Sequence, residues 1–428
     1  MENRSFKHFY IDCTTTYFEG RNDGIARVTR MLVEMAGVPR EMGYGEVHPV
    51  VFSNDRYYVL PNCEIFKDNP FAISKPVPRV RRFAARCRKK LLSMILPSKA
   101  GSRLSTDRHE KLRKTFPGAL RSMEEADLSE DDFVVLPEFF REDQFRRLIE
   151  LKSRLKLAGV IHDLIPITHP EYCDCTLRFN ELAKFTSENA DIVIAASRYS
   201  AACFEAYEKV LELGGAPVGK KKITWFHPGC DLDCDPAPPP PSAGMTKVFS
   251  DGVPVYLVCS TIEPRKNHLL ILRTFQQLWA EGHAIKLLFV GKYGWMAEQT
   301  LREMTRHPEL NKRFFWLSRA SDADLAYAYR HCHATICASH VEGFGLPLVE
   351  ALAAGRQVIF SRIKSFEEIV PAGFLVNSFA PDKPEELLLL IRKTLQANDR
   401  LDLDGFKPVS WREAAKEFYR ILAESTDR

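Results

Sequence analysis

Glu342-Gly343-Phe344-Gly345-Leu346-Pro347-Leu348-Val349-Glu350 is the stretch whose reading decides the fold. Ahead of it, Ala334-Thr335-Ile336-Cys337-Ala338-Ser339 is a short apolar run with the length of a buried strand. Behind it, Ala351-Leu352-Ala353-Ala354-Gly355 continues a helix that glycine stops. Two glycines in three residues let the backbone come close to a ligand. Pro347 suits a first helical turn, where no amide hydrogen is needed. The spacing therefore predicts strand, glycine loop and helix N-terminus, with Glu342 in the loop and Glu350 inside the helix. Free amides at a helix N-terminus seat an anion such as phosphate. Two carboxylates would repel that anion, so they are better placed to accept hydroxyl hydrogens, as from a ribose or a sugar. On these residues alone, the competing reading is an ordinary strand-to-helix turn with two solvated glutamates.

The same alternation extends through the second half. Strands are expected at 255–259, 286–291, 314–317, 357–360 and 374–376, with helices from His268 to Ala280 and, capped by Asp322, through Arg330. Strands alternating with helices argue a doubly wound parallel sheet. Ser410-Trp411-Arg412-Glu413 is a capping box for a last helix. The proline run 236–241 is stiff and extended and cannot sit inside a sheet, so it marks a linker over 236–247. Before it, a second strand series runs through 9–13, 50–52, 132–137, 157–161, 191–196 and 223–227. Gly24 begins a helix with apolar residues at 25, 28, 32 and 33, one helical face. Ser197 is a plausible N-cap. His162-Asp163 stands at a strand's C-terminal end, where ligands bind in open α/β sheets.

Bulk properties bound the function. A chain of 428 residues is expected to form two domains. It is 45% hydrophobic and 27% charged, an ordinary globular composition. A net charge of +4 gives no global argument for nucleic acid. The eleven cysteines are scattered, which is free-thiol usage in a reducing compartment. Cys173-x-Cys175 and Cys230-x3-Cys234 lack the paired spacing of a zinc site. Neither a signal-like apolar core at the start nor a run of about twenty apolar residues is visible, which implies a cytoplasmic protein with no membrane span. Residues 75–103 break the pattern, with ten Lys or Arg and no acid. Val80, Phe83, Ala84, Cys87, Leu91, Met94 and Ile95 recur there at helical spacing. This is either a basic amphipathic helix lying on an anionic membrane surface or a solvated helix packed on its own domain. The stacking aromatics of a single-strand nucleic-acid binder are absent from it.

A second string carries chemistry. Glu263-Pro264-Arg265-Lys266-Asn267 lies between the 255–259 strand and its helix, and puts two adjacent cations in the region of the 342–350 loop. Fixed cations and helix amides stabilise the charge that develops on a diphosphate leaving group without a metal. A solvated Arg-Lys pair is the plain alternative.

The 342–350 stretch closely resembles the Glu-x7-Glu signature of retaining, nucleotide-sugar-dependent glycosyltransferases of family 4. Glu-Pro-Arg-Lys-Asn is a second specific match, and His162-Asp163 followed by Leu-Ile-Pro is similar to the family's N-domain motif. The resemblance implies an α/β, GT-B fold: two Rossmann-like doubly wound parallel-sheet domains with an interdomain cleft. It implies an acceptor-binding domain over 1–235 with 75–103 inserted, a nucleotide-sugar domain over 248–409, and a terminal helix over 410–428 that crosses back. By resemblance, Glu342 orients the donor sugar and supports an oxocarbenium-like centre, with His162 and Asp163 as its catalytic companions. Glu350 binds the ribose hydroxyls. Lys266 and Arg265 bind phosphate, Gly343, Phe344, Gly345 and Leu346 offer amides, and Gly24 lies near the diphosphate. Ser318 and Arg319 lie near the base. Two features depart from the pattern. Cys259-Ser260-Thr261 stands where many relatives place a glycine and an arginine, and Pro228-Gly229-Cys230-Asp231 only partly matches the Asn-Gly-Val-Asp hinge.

The activity implied is transfer of a hexose to a lipid-linked or polysaccharide acceptor in bacterial surface glycan synthesis. GDP-mannose is the first choice of donor, with UDP-hexoses and a dTDP-deoxysugar open. No metal or other cofactor is expected; Asp233-x-Asp235 and Asp322-x-Asp324 fit the Asp-x-Asp metal motif only superficially. The alternatives are a GT-B nucleotide-sugar epimerase and a non-catalytic partner subunit of the same fold. The location implied is the cytoplasm, free or peripheral on the inner face of the membrane.

Overall fold

A computed structural model of the protein describes residues 7–19, 23–60, 124–129, 132–138, 142–231, 240–371, 373, 377–397 and 406–425. The basic segment 75–103, Asp233-Cys234-Asp235, most of the proline run and the strand expected at 374–376 lie outside these residues. The chain divides into two compact units. One holds Met1–Val160, Asn189–Ile192 and Tyr419–Arg428, and the other holds Ile161–Glu188 and Val193–Phe418.

The N-terminal half alternates as its sequence predicts. In order come β1 (Lys7–Asp12), α1 (Thr14–Glu19), α2 (Gly24–Glu34), α3 (Gly37–Glu41), β2 (Gly45–Ser53), β3 (Arg56–Val59) and β4 (Phe133–Leu136). Then follow α4 (Glu142–Leu151), β5 (Lys156–Ile161), α5 (Ile165–Thr168), α6 (Thr176–Asn189), β6 (Ile192–Ala195), α7 (Arg198–Leu213) and β7 (Lys222–Trp225). The strands lie in the order β3-β2-β1-β4-β5-β6-β7. β1 runs parallel to β2 and β4, and β4 to β5. β3 is an antiparallel edge strand, hairpin-joined to β2 through Asn54 and Asp55, both at positive φ. Polar side chains that accept backbone hydrogens are well placed to start helices. Asp23 caps α2 by accepting the amide of Ala26 at 3.1 Å, and Ser197 caps α7 by accepting that of Ser200 at 2.9 Å.

The C-terminal half comprises α8 (Ala243–Val248), β8 (Val255–Cys259), α9 (His268–Ala280), β9 (Lys286–Val290), α10 (Glu298–Thr305), β10 (Phe314–Leu317) and α11 (Asp322–His331). It continues with β11 (Ala334–Cys337), α12 (Leu346–Ala353), β12 (Gln357–Ser361), α13 (Lys364–Ile369), β13 (Ser378–Phe379), α14 (Pro384–Leu395) and α15 (Trp411–Glu424). All six strands are parallel, in the order β10-β9-β8-β11-β12-β13. These strands read as unbroken apolar runs because helices cover both faces. Tyr256, Val258, Leu287 and Phe289 face Ile271, Phe275 and Leu278 of α9. Val255, Leu257, Leu288 and Val290 face the side that holds Tyr329 of α11 and Leu348 of α12. Strand order reverses between β8 and β11, the point where open α/β sheets bind ligands.

Three local findings refine the sequence reading. Ser321, not Asp322, is the N-cap of α11, in a capping box with Asp324. Asp324 also accepts the amide of Ser242 at 2.7 Å. The Asp322-x-Asp324 pair is thereby engaged in structure: one residue opens the helix and the other closes its cap. Second, α8 begins inside the stretch read as linker, because Ser242 caps it and Met245 and Val248 are buried in the core. Third, the capping box at the last helix is present, with Ser410 Oγ donating to Glu413 at 2.8 Å and accepting the Glu413 amide at 3.2 Å. The start of α15 sits tightly on the turn after β7. A Cβ at Gly229 would meet the Trp411 backbone at 2.4 Å, and the Trp411 amide donates to Asp231 at 3.1 Å. The end of α15, from Tyr419, belongs to the first unit, where the Tyr419 hydroxyl donates to Leu32 O at 2.8 Å.

Candidate active site

The turn after β8 carries the predicted cations. Pro264–Lys266 is a single 3-10 turn, and Asn267 follows in the left-handed region at φ 58°. The Asn267 side chain donates to Pro381 O at 2.9 Å, which holds that conformation. The backbone beside this turn is close-packed: a Cβ at Gly291, whose φ is +154°, would meet Ser260 O at 1.9 Å. Arg265 Nε donates to Glu263 at 3.1 Å, and Arg265 Nη1 donates to Glu342 at 2.7 Å. Lys266 Nζ donates to the other oxygen of Glu342, which also accepts from Ser339 Oγ at 2.6 Å.

The sequence therefore brings Glu342, Arg265 and Lys266 into one buried ion cluster across the β8–β11 reversal. A buried carboxylate costs several kcal/mol unless it is paired and hydrogen-bonded, and this one is both. Burial works to raise the Glu342 carboxyl, but Arg265, Lys266 and the hydroxyl of Ser339 outweigh it and hold it at about 2. Burial prevails at Glu263, which is raised despite Arg265 and Lys266. Burial works to lower Arg265, and the carboxylates of Glu342 and Glu263 reverse this, so its guanidinium is held charged. Next to the turn, His268 is pushed down to about 3 by burial and by Lys266, so it stays neutral.

Gly343 and Gly345 are required by contact. A Cβ on Gly343 would meet His162 O at 2.1 Å and Asp163 Cβ at 2.8 Å. Gly345 has φ +120°, and its Cβ would meet Phe366 at 2.5 Å. Gly343 O accepts from Ser197 Oγ at 2.5 Å and Ser200 Oγ at 3.1 Å, and Ser200 also donates to His162 O at 3.0 Å. The loop thus lies directly against the ends of β5 and β6. Gly345 is the N-cap of α12 and brings no side-chain acceptor to the first-turn amides. That leaves a helix N-terminus suited to an anion. Phe344 is turned inward, packed with Ala196, Cys230 and Val349, its ring 5.1 Å from that of His227. Leu346 opens α12.

The remaining predicted residues are placed as follows. His162 is half-buried beside Gly343. Asp163 Oδ1 accepts the Ile165 amide at 2.9 Å and adds to the field on Arg265. Glu350 is buried inside α12 and accepts from the Tyr329 hydroxyl at 2.9 Å. Ser318 and Arg319 are exposed after β10. Gly24 lies in the other unit, as the first residue of α2.

Four contributors have no counterpart in the sequence reading: Ser339, Tyr329, His227 and Glu368. Glu368 accepts the amides of Arg198 and Tyr199 at 2.8 and 2.9 Å and pairs with His227 at 2.7 Å. It holds the N-terminus of α7 from a position 170 residues away, which leaves no local pattern to read. Ser339, three residues before Glu342, is the one that spacing could have flagged.

Residues 246–418 match the family model described as glycosyl transferases group 1. This part of the chain is similar to a group 1 glycosyltransferase domain. It contains the whole C-terminal sheet, the 263–267 turn and the 342–350 loop. Relatives of the chain include the serotype-specific mannosyltransferase WbdA of Escherichia coli, 29% identical over 330 residues, 73% of this chain and 40% of the relative. The O-antigen chain mannosyltransferase B of Escherichia coli is 26% identical over 272 residues, 62% of this chain and 65% of the relative. The chain thus spans about two fifths of the WbdA length. Among solved structures, it is similar to sucrose-phosphate synthase from Thermosynechococcus elongatus, with TM-score 0.56 and 14% identity over 98% of this chain and 94% of the other. It is also similar to Anabaena HepE in complex with UDP-glucose, with TM-score 0.54 and 15% identity over 99% and 96%. The fold is GT-B, as the sequence implied.

Proposed function

We propose that this protein is a retaining glycosyltransferase that moves a hexose from a nucleoside diphosphate sugar to a lipid-linked or polysaccharide acceptor in bacterial surface glycan synthesis. The observation that carries the reading is the Glu342–Arg265–Lys266 cluster at the strand-order reversal of a domain similar to group 1 glycosyltransferases. GDP-mannose is the donor proposed, supported by relatives that are named as mannosyltransferases. The same names favour transfer over the epimerase alternative.

In this reading Lys266 and Arg265, paired with Glu342 before donor arrives, turn toward the diphosphate as it enters. Their two positive charges and the α12 amides then stabilise the leaving nucleotide, which is the part a metal ion plays elsewhere. Transfer should therefore proceed without added divalent metal. Glu342, held ionised by Arg265, Lys266 and Ser339 in the paired state, supports positive charge developing at the sugar carbon. His162 and Asp163 flank the sugar, and Glu350 accepts from the ribose hydroxyls. The test is a donor screen that reads nucleotide release with and without lipid-linked acceptors. GDP-mannose should turn over, and Glu342→Gln should lower kcat by at least about 100-fold, the scale on which electrostatic transition-state contacts act. Release from no nucleotide sugar, or full activity in Glu342→Gln, would sink the assignment.

A further inference from the structure

Two imidazoles and a carboxylate meet on one side of the first sheet. His8 lies on β1, and Glu46 and His48 lie on β2, where His8 pairs with Glu46 and Tyr10 with His48. Residues two apart on a strand share a face, so Glu46 and His48 point the same way. His8 Nδ1 and His48 Nε2 are 2.9 Å apart, and one ligand atom from each of His8, Glu46 and His48 lies within 4.8 Å of the other two. All three residues are half-buried. None of them belongs to the donor site described above.

We propose that His8, His48 and Glu46 form a binding site for a divalent transition-metal ion, with zinc the ion the donor set suits best. Two histidines and one carboxylate are a recurrent zinc set that leaves a fourth position for water. The His8–His48 contact is a shared proton between two facing nitrogens. A cation can take that proton's place if the rings part by a few tenths of an ångström, since nitrogens on tetrahedral zinc lie about 3.3 Å apart.

The surroundings support the ligands. The Tyr10 ring is stacked on His48 at 5.1 Å, with its hydroxyl fixed by Asp127 O at 2.9 Å. Asp132 accepts the His8 amide at 3.2 Å and adds a second negative charge beside the site. The competing cation is Arg40, 3.6 Å from Glu46, in a largely exposed pair of the kind worth little in water.

The experiment uses the full chain without a polyhistidine tag, stripped with EDTA and titrated with Zn2+ and with Co2+. One equivalent of Co2+ should give the visible absorption of a four-coordinate nitrogen-oxygen site, and Zn2+ should raise the thermal midpoint. His8→Ala and His48→Ala should each weaken binding at least tenfold. Should both fail to fold, Glu46→Gln carries the same expectation. Absence of binding by the folded wild type overturns the proposal. So does zinc affinity unchanged in the variants, which would place the ion elsewhere, for example on the Cys173 and Cys175 thiols.

Discussion

At the scale of single residues, two buried glutamates behave in opposite ways, and their partners decide which. Glu342 has two cations and a hydroxyl, and stays ionised. Glu138, just beyond β4, has hydrogen bonds from the amide (2.7 Å) and the hydroxyl of Thr16 and from the Thr29 side chain, with Asp12 nearby. Burial is the larger effect, and its carboxyl is pushed up to about 7 from 4.5. A folded state that holds a proton longer than the unfolded chain loses stability as pH rises between the two values. The wild type should therefore lose stability relative to Glu138→Gln as pH rises from 4.5 to about 7, read by urea denaturation across that range. A constant difference would contradict the burial argument. Glu342, Arg265 and Lys266 were legible as site residues because they sit in short, specific strings. What those strings lack is the pairing itself, which joins positions 76 and 77 apart. Tyr329 on Glu350 and Glu368 on His227 are contacts of the same long-range kind and carry no sequence signal.

At the scale of elements, the strands were legible wherever both faces are covered, since an unbroken apolar run then has one reading. β8, β10 and β11 are such runs. The α11 cap was misplaced by one residue because Ser321 and Asp322 are both good caps, and the deciding contact is the reciprocal Ser321–Asp324 bond. The sequence has the loop glycines admit close approach to a ligand, and the close approach found is to the protein's own His162 carbonyl and Phe366 ring. Gly343→Ala would drive a Cβ into the His162 carbonyl, a backbone atom that cannot swing away. Overpacking of this kind costs about 1–3 kcal/mol. The variant should unfold at lower denaturant and lose donor turnover together. Glu368→Ala should cost about 1 kcal/mol through the lost α7 amide contacts. Wild-type stability in either variant would contradict the packing described.

At the scale of the whole molecule, both sheets begin with the same strand order, and β13, only two residues long, ends the second one. Among the described residues, no helix is long and apolar enough to cross a membrane. From sequence alone, the basic segment 75–103 is either a helix lying on an anionic membrane surface or a solvated helix packed on its own domain. The full chain should co-sediment with anionic vesicles and not with neutral ones, and replacing its Lys and Arg with Gln should abolish the difference. Equal binding to both vesicle types would remove the membrane reading.

The central claim is that the ends of β8 and β11 hold a nucleoside diphosphate sugar, and calorimetric titration with GDP-mannose tests it most directly. The wild type should bind, and Lys266→Met, folded by circular dichroism, should bind at least tenfold more weakly, about 1.4 kcal/mol. Binding of equal strength by Lys266→Met, or no binding of any nucleoside diphosphate sugar by the wild type, would contradict it.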